Sequence, residues 1–367
     1  MRVLYDARWL PTGDRFDGVG RYSHGLAWAM SRQPDVEMIW LVHDERQLAK
    51  LPSGAHAVAN DPQNGLEELF LADLLGTLTF DVIYSPFFMM GGFSRRYKRV
   101  FTVHDTIYYR HRTPPQWLPW HLRLGWFLFH LTYIPLRWTL KRADVIATVS
   151  DTARSELQAI RATKNPIITV KNAVSQNLTP SATNDPSLRY LSNDIVYMGS
   201  FTPYKNVETL IDALVHAPEI NLHLLSKIPP KRRTVLEKRM LERGVTNRVI
   251  IHDGVTDETY RQILSGCRGL ISASKAEGFG LPVIEAQQQG VPVACSDIPI
   301  FREIAGNTAK LFDPTDPLKC AAAMRYLGDP FNSAQVVEYG YQNAARFNWD
   351  DSGRIAVDIC RRLHSPE

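Results

Sequence analysis

The chain has 367 residues, 44% hydrophobic and 22% charged, with a formal net charge of +4. That length is too great for one ordinary core and suits two of about 150–200 residues each. The composition excludes fibrous, collagen-like and disordered proteins. Cys267, Cys295, Cys320 and Cys360 stand no closer than 25 residues apart. They make neither a zinc pattern nor a redox pair, and read as buried thiols of a reducing cytoplasm. The uncharged run between Arg123 and Arg137 has 13 residues, short of the about 20 that cross a bilayer. The opening MRVLYD reads as a strand rather than a secretory leader.

Charge is uneven along the chain. Residues 1–175 hold 21 Lys/Arg against 16 Asp/Glu, and the remainder 21 against 22. The excess gathers in residues 110–142, with six cations and no acid. An anionic partner for the first half follows.

Short apolar, β-branched runs predict strands at residues 3–5, 38–42, 82–85, 100–103, 145–149 and 167–170. A polar, turn-rich stretch over 176–194 interrupts them. The pattern restarts at 195–198, 222–225, 249–251, 270–273, 292–295 and 310–312. Strands separated by amphipathic segments predict βαβ units and parallel sheets. The fold class is therefore α/β with two Rossmann-like domains, 1–178 and 179–349, and a last helix over 350–367 packing back on the first. Ligands of such domains sit at the carboxyl ends of the strands, in the cleft.

Four elements carry chemistry. Asp17-Gly18-Val19-Gly20-Arg21-Tyr22 precedes an amphipathic helix at 23–31, and its glycines Gly18 and Gly20 allow a phosphate or sugar to approach, although a simple turn has the same pattern. The first strand is not followed by G-x-G-x-x-G, which counts against a dinucleotide oxidoreductase. His104 closes the strand at 100–103, where a cleft histidine and a structural one are both expected. Gly199-Ser200 opens the run GSFTPYKN after the strand at 195–198. Gly199 permits close backbone approach, and Lys205 stands at a helix start, where the macrodipole disfavours a cation unless an anion is bound. In the run EGFGLPVIE, Glu277 falls in a loop with Gly278 and Phe279, and Pro282 suits a helix's first turn. The N–H groups of Gly280 and Leu281 would then meet an anion, and Glu285 could bind a ribose diol beside it. No Asp-x-Asp pair occurs, so a diphosphate-bound metal is not expected.

Residues 110–142 also hold Trp117, Trp120, Trp126 and Trp138. Tryptophans beside Arg123, Arg137, Lys141 and Arg142 predict a face lying on an anionic membrane and meeting the acceptor there. The alternative is an ordinary helix with its aromatics in the core. Nucleic acid is not expected, since no motif for it is present.

Together these elements resemble the retaining GT-B glycosyltransferases of family GT4. The resemblance covers most of the chain and is strongest over residues 270–296, where the E-x7-E motif stands as Glu277 and Glu285. GVGRY, GSFTPYKN and the NAVS ending at Ser175 also fit. The resemblance implies a GT-B fold with two domains facing each other across a cleft, and transfer of a hexose such as mannose. GDP-mannose or a UDP-hexose would be the donor substrate, with no separate cofactor. It places Glu277 on the donor sugar hydroxyls, Glu285 on the ribose, Lys205 on the diphosphate and His104 beside the transferred sugar. The acceptor would be a glycan or lipid-linked, in polysaccharide or glycolipid synthesis at the cytoplasmic face of the membrane. One departure stands out: Ser200 occupies the place where many relatives carry an arginine. A catalytically inactive binding protein and a nucleotide-dependent dehydrogenase are the rival readings, and the sequence does not specify an oligomeric state.

Overall fold

Runs of β-branched and aromatic residues flanked by polar turns form buried parallel strands, as apolar runs covered on both faces do. A computed structural model of the protein describes residues 1–13, 16–62, 68, 71–88, 97–114, 119–174 and 192–365. Residues 1–173 and 348–367 form one unit, and residues 174–347 a second. The domain boundary drawn at 178/179, like Ser175 and Trp117, lies outside the described residues.

In unit 1, seven strands lie in the order β3-β2-β1-β4-β5-β6-β7. They are β1 (Arg2–Asp6), β2 (Glu37–Val42), β3 (Ala55–Val58), β4 (Val82–Ser85), β5 (Lys98–Val103), β6 (Val145–Thr148) and β7 (Ile167–Thr169). Every pairing is parallel. The helices are α1 (Gly18–Ser31), α2 (Leu71–Gly76), α3 (Ile107–Arg110), α4 (Trp120–Phe129), α5 (Ile134–Leu140), α6 (Asp151–Ala159) and, from the far end of the chain, α14 (Trp349–His364). Leu4, Ile83, Phe101 and Ile146 from four strands share the core with Leu136, Leu140 and Leu157.

Small residues bring α14 against α1. A Cβ on Gly25 would fall 2.2 Å from the Trp349 ring, and one on Gly353 would fall 2.6 Å from the Ala29 backbone. Asn348 starts α14 by accepting the Asp351 N–H at 2.9 Å.

In unit 2, β8 (Asp194–Tyr197), β9 (Asn221–Leu224), β10 (Val249–Ile251), β11 (Gly269–Ser272), β12 (Val293–Ser296) and β13 (Lys310–Phe312) lie in the order β10-β9-β8-β11-β12-β13. These pairings are parallel too. The helices are α7 (Val207–Ala213), α8 (Pro230–Arg243), α9 (Asp257–Gly266), α10 (Leu281–Gln288), α11 (Pro299–Ala305), α12 (Pro317–Tyr326) and α13 (Pro330–Ala344). Chain direction around each sheet reverses once, between β1 and β4 in unit 1 and between β8 and β11 in unit 2. Loops at the carboxyl ends of those strands splay apart and leave a crevice for a ligand.

All four cysteines are buried and free. Burial pushes the Cys360 thiol up to about 12, which keeps it protonated and inert.

Candidate functional site

Unit 2 gathers its polar residues where β8 and β11 diverge. Gly199 follows β8, and its N–H donates to Ser226 Oγ at 3.1 Å. The Tyr197 hydroxyl reaches back to the Ser200 carbonyl at 2.7 Å, crossing the place where a Cβ on Gly199 would stand, only 2.8 Å from that hydroxyl. Glycine is therefore required here by close approach. The Ser200 side chain is exposed and lies 3.1 Å from Thr202 Oγ1. The neighbouring cation is Arg232 of α8, which donates to the Phe201 carbonyl at 2.8 Å and pairs with Glu208 at 2.5 Å.

Lys205 ends a short 3-10 turn (Pro203–Lys205) instead of opening a helix. Asn206, at φ 57°, turns the chain into α7 and ties the loop down through the Ala273 and Pro314 carbonyls at 3.0 and 2.8 Å. The Lys205 ammonium lies 2.5 Å from Glu277 Oε2, with both side chains largely buried. Ser274 Oγ donates to Glu277 Oε1 at 2.7 Å. Two residues 72 apart in sequence thus form one polar cluster. Ser274 belongs to it, and sequence reasoning missed it, because a serine after a strand carries no distinguishing signal.

The loop from Glu277 ends at Gly280, whose φ of 94° starts α10. A Cβ there would also meet Phe301 at 2.8 Å, so conformation and space both require glycine. No side chain caps α10, Pro282 has no N–H, and the Val283 N–H donates to the Gly280 carbonyl at 3.0 Å, which leaves the Leu281 N–H of the first turn for a ligand or water. Pro282 occupies the first turn, as expected. Glu285 does not: with α10 starting at Leu281 it lies in the second turn, and it is 5% exposed. The Phe279 side chain is buried edge-on against Phe347 at 5.6 Å, so only the backbone at this position can meet a donor.

Unit 1 holds a cavity of about 980 Å³ at the carboxyl ends of β1, β4 and β5. His104 lines it immediately after β5. Its Nε2 is 2.8 Å from the Pro86 carbonyl oxygen, which can only accept, so Nε2 carries the hydrogen and Nδ1 keeps a lone pair. Burial lowers its pKa, partly offset by the Pro86 hydrogen bond and the Asp17 charge. The imidazole is neutral near pH 7. At the cavity's base Arg8 forks onto Asp6 at 2.8 and 3.1 Å and also binds Glu68. Burial opposes that charge, but the two carboxylates hold the guanidinium protonated beyond its ordinary range.

Gly18 and Gly20 sit inside the first turn of α1 instead of in a loop before it, because Asp17 caps the helix by accepting the Gly20 N–H at 2.7 Å. This chain's own carboxylate fills that terminus. A phosphate is disfavoured there, and the anion expected from the glycine pattern is corrected to that extent.

The basic aromatic segment folds as two short helices, α4 and α5. None of the α4 side chains is buried. Trp120 is 77% exposed, and Leu122, Leu124, Leu128, Ile134 and Trp138 are exposed as well, so a core of aromatics is excluded for these residues. Trp126 is corrected from the outer face to the inner one. Its half-buried ring packs on His130 at 4.1 Å and edge-on to Tyr108 at 5.1 Å, and it lines the cavity. Arg137 and Arg142 are likewise tied to the protein. Arg137 donates to the Ile160 and Arg161 carbonyls at 2.7 and 3.2 Å, and Arg142 stacks 4.0 Å from the Trp138 ring. Arg123 and Lys141 are exposed. No described helix is long and apolar enough to cross a membrane, and no group of three or more metal-ligating side chains occurs among the described residues.

Comparison with known proteins bears on both units. Residues 16–177 match the family model described as Glycosyltransferase Family 4, and residues 187–342 that described as Glycosyl transferases group 1. The chain is 30% identical over 240 residues to the O-antigen chain mannosyltransferase B of Escherichia coli, covering 61% of this chain and 62% of that protein. It spans less than two thirds of the relatives it matches first by sequence. Among solved structures it resembles sucrose-phosphate synthase from Thermosynechococcus elongatus, with TM-score 0.76, 17% identity and coverage of 99% and 98% of the two chains. The Anabaena protein HepE in complex with UDP and glucose gives TM-score 0.74, 15% identity and coverage of 98% and 99%. The fold is thus the α/β GT-B fold.

Proposed function

We propose that this chain, which belongs to the family 4 glycosyltransferases, moves a hexose from a nucleotide-diphosphate sugar to a glycan or lipid-linked acceptor in polysaccharide synthesis. The observation that carries this reading is the Lys205–Glu277–Ser274 cluster beside the uncapped start of α10. It offers a cation and the Leu281 N–H to a diphosphate, and a carboxylate to sugar hydroxyls, at the strand divergence where α/β sheets bind ligands. The relative named a mannosyltransferase favours mannose, and the UDP bound to HepE favours a uridine donor. GDP-mannose and the UDP-hexoses are therefore the first donors to test.

In the proposed reaction the bond from the anomeric carbon to the diphosphate oxygen breaks, and one to the acceptor oxygen forms on the same face. The acceptor's proton leaves with the diphosphate. Lys205 and the Leu281 N–H balance the charge growing on the leaving group, Glu277 orients the sugar and Glu285 takes the ribose. His104, neutral, offers Nδ1 to a hydroxyl. Unit 1 takes the acceptor. No metal is assigned to any step, so turnover is expected to survive EDTA, and a loss restored by Mg²⁺ or Mn²⁺ would count against this mechanism.

Thermal-shift measurement with GDP-, UDP-, ADP- and dTDP-sugars tests donor binding. A ligand at 100 times its Kd adds about 2.7 kcal/mol, a rise of several degrees in a protein of this size. No rise with any of them would defeat the reading.

The same proposal holds the protein peripherally at the cytoplasmic face of an anionic membrane. Support comes from the outward apolar residues of α4 and α5, framed by cations without an acid from residue 110 to 142.

A further inference from the structure

Polar groups and aromatic rings line the cavity of unit 1 together. Tyr22 of α1 packs edge-on to His104 with ring centres 5.0 Å apart, and the α1 cap residue Asp17, whose charge is felt by His104, lines the cavity with it. Asp17 spends Oδ1 on the Gly20 N–H. Its other oxygen has no hydrogen bond among the described residues, and the residue is exposed to the cavity. Aromatic rings stand beside His104 as well: Phe87 lies 6.2 Å from its ring, Trp9 packs on Phe87 with centres 4.4 Å apart, and Trp126 packs on Tyr108. Arg8 is the sole Lys or Arg among the described lining residues, and Asp6 and Glu68 already neutralise it.

Each feature narrows the occupant. A carboxylate oxygen facing solvent takes hydrogen bonds from hydroxyls and repels phosphate. Aromatic faces cover the C–H faces of a ring, and such a mixture of apolar walls with a few placed polar groups marks a small-molecule site. A cavity whose described lining offers no unspent cation does not suit an anionic ligand.

Resting on the glycosyltransferase reading, we propose that Asp17 is an acceptor-recognition residue. Its unspent oxygen binds hydroxyls of an uncharged saccharide in this cavity and so sets which hydroxyl stands beside His104. Any phosphate of a lipid-linked acceptor then lies outside this cavity. Asp17 takes no proton in the transfer.

Helix capping alone would give Asp17 a purely structural role, and two variants separate the roles. Asp17→Asn still caps α1, because asparagine is an equally good N-cap, but its only acceptor oxygen goes to Gly20 and an NH₂ then faces the cavity. Asp17→Ser caps and presents nothing. Transfer from the best-bound nucleotide sugar is measured to methyl glycosides of mannose, glucose, galactose and N-acetylglucosamine, with mannose 6-phosphate as the anionic counterpart.

The expected result has three parts. Wild type uses an uncharged glycoside in preference to the phosphorylated sugar. Both variants lose about 10- to 100-fold in kcat/KM for that glycoside, the usual size for a hydrogen bond to a charged group. Donor Kd and melting temperature stay at the wild-type values. The inference is overturned if both variants keep wild-type kcat/KM. It is equally overturned if wild type prefers the phosphorylated sugar, or binds donor yet uses none of the uncharged glycosides. A wild type that binds no nucleotide sugar defeats the functional reading itself, and this inference with it.

Discussion

Lys205→Ala is expected to lower kcat for transfer by about 10²- to 10³-fold, the usual loss when one charge-stabilising group is removed from a transition state. The variant removes a cation from the proposed leaving diphosphate, and it also strands Glu277. That carboxylate is 11% exposed and 2.5 Å from the ammonium, and breaking a partly buried pair from one side costs more than exposed pairs contribute. The melting temperature should therefore fall together with kcat. Glu277→Ala should lower kcat comparably, through lost orientation of the sugar.

The pair acts as a unit, so the double variant should be little worse than the poorer single one. Because Lys205 is engaged by Glu277 when no donor is present, the diphosphate must compete for it. Glu277→Gln should then loosen that competition, tightening the Kd for the free nucleoside diphosphate while kcat still drops. Steady-state kinetics with calorimetry on wild type and the four variants decides the matter. Near-wild-type kcat in Lys205→Ala, or additive losses in the double variant, would move the site elsewhere.

Much of this was legible in the sequence. Twelve of the thirteen described strands announce themselves as apolar runs, because strands of a parallel sheet covered on both faces are mostly apolar. The exception is β3 (sequence AHAV), an edge strand with most of its side chains exposed, where neither burial nor alternation leaves a signal. Gly199 was legible as a close-approach position and Gly280 as an N–H turned toward an anion, but the pairing of Lys205 with Glu277 was not, since sheet order alone brings β8 beside β11. The start of α1 differs from the expected one. An aspartate before G-V-G is an N-cap signal, and taking it as one would have moved the start of α1 to Gly18 and pointed to Asp17. The inward turn of Trp126 was beyond reach. Four tryptophans in one basic stretch look alike until the aromatic cluster of Tyr108 and His130 shows which of them it draws in.

Wild-type protein is expected to float with anionic vesicles at low salt, and Trp120→Ser/Leu124→Ser/Leu128→Ser to lose about 10² in vesicle affinity. These three residues follow one another at four-residue spacing and are 77%, 52% and 56% exposed, so they form one outward stripe on α4. Burying roughly half of each such side chain is worth about 1 kcal/mol, about 3 kcal/mol together, which is about 10² in affinity. Because none of them is buried in the protein, the melting temperature should hold, which separates lost docking from lost folding.

Arg123→Ser/Lys141→Ser tests the charges. Each cation near an anionic leaflet contributes about 1 kcal/mol, and salt screens that attraction. This variant should lose the salt-sensitive part of binding and keep the apolar part, and the leucine–tryptophan variant should do the reverse. Arg137 and Arg142 are unsuitable for the test, since the first holds the end of α6 through Ile160 and Arg161 and the second lies on Trp138. If wild type fails to float with anionic lipid at low salt, or if the stripe variant floats as well as wild type, the outer face of α4 is not a membrane face. The acceptor of unit 1 is then to be sought among soluble glycans.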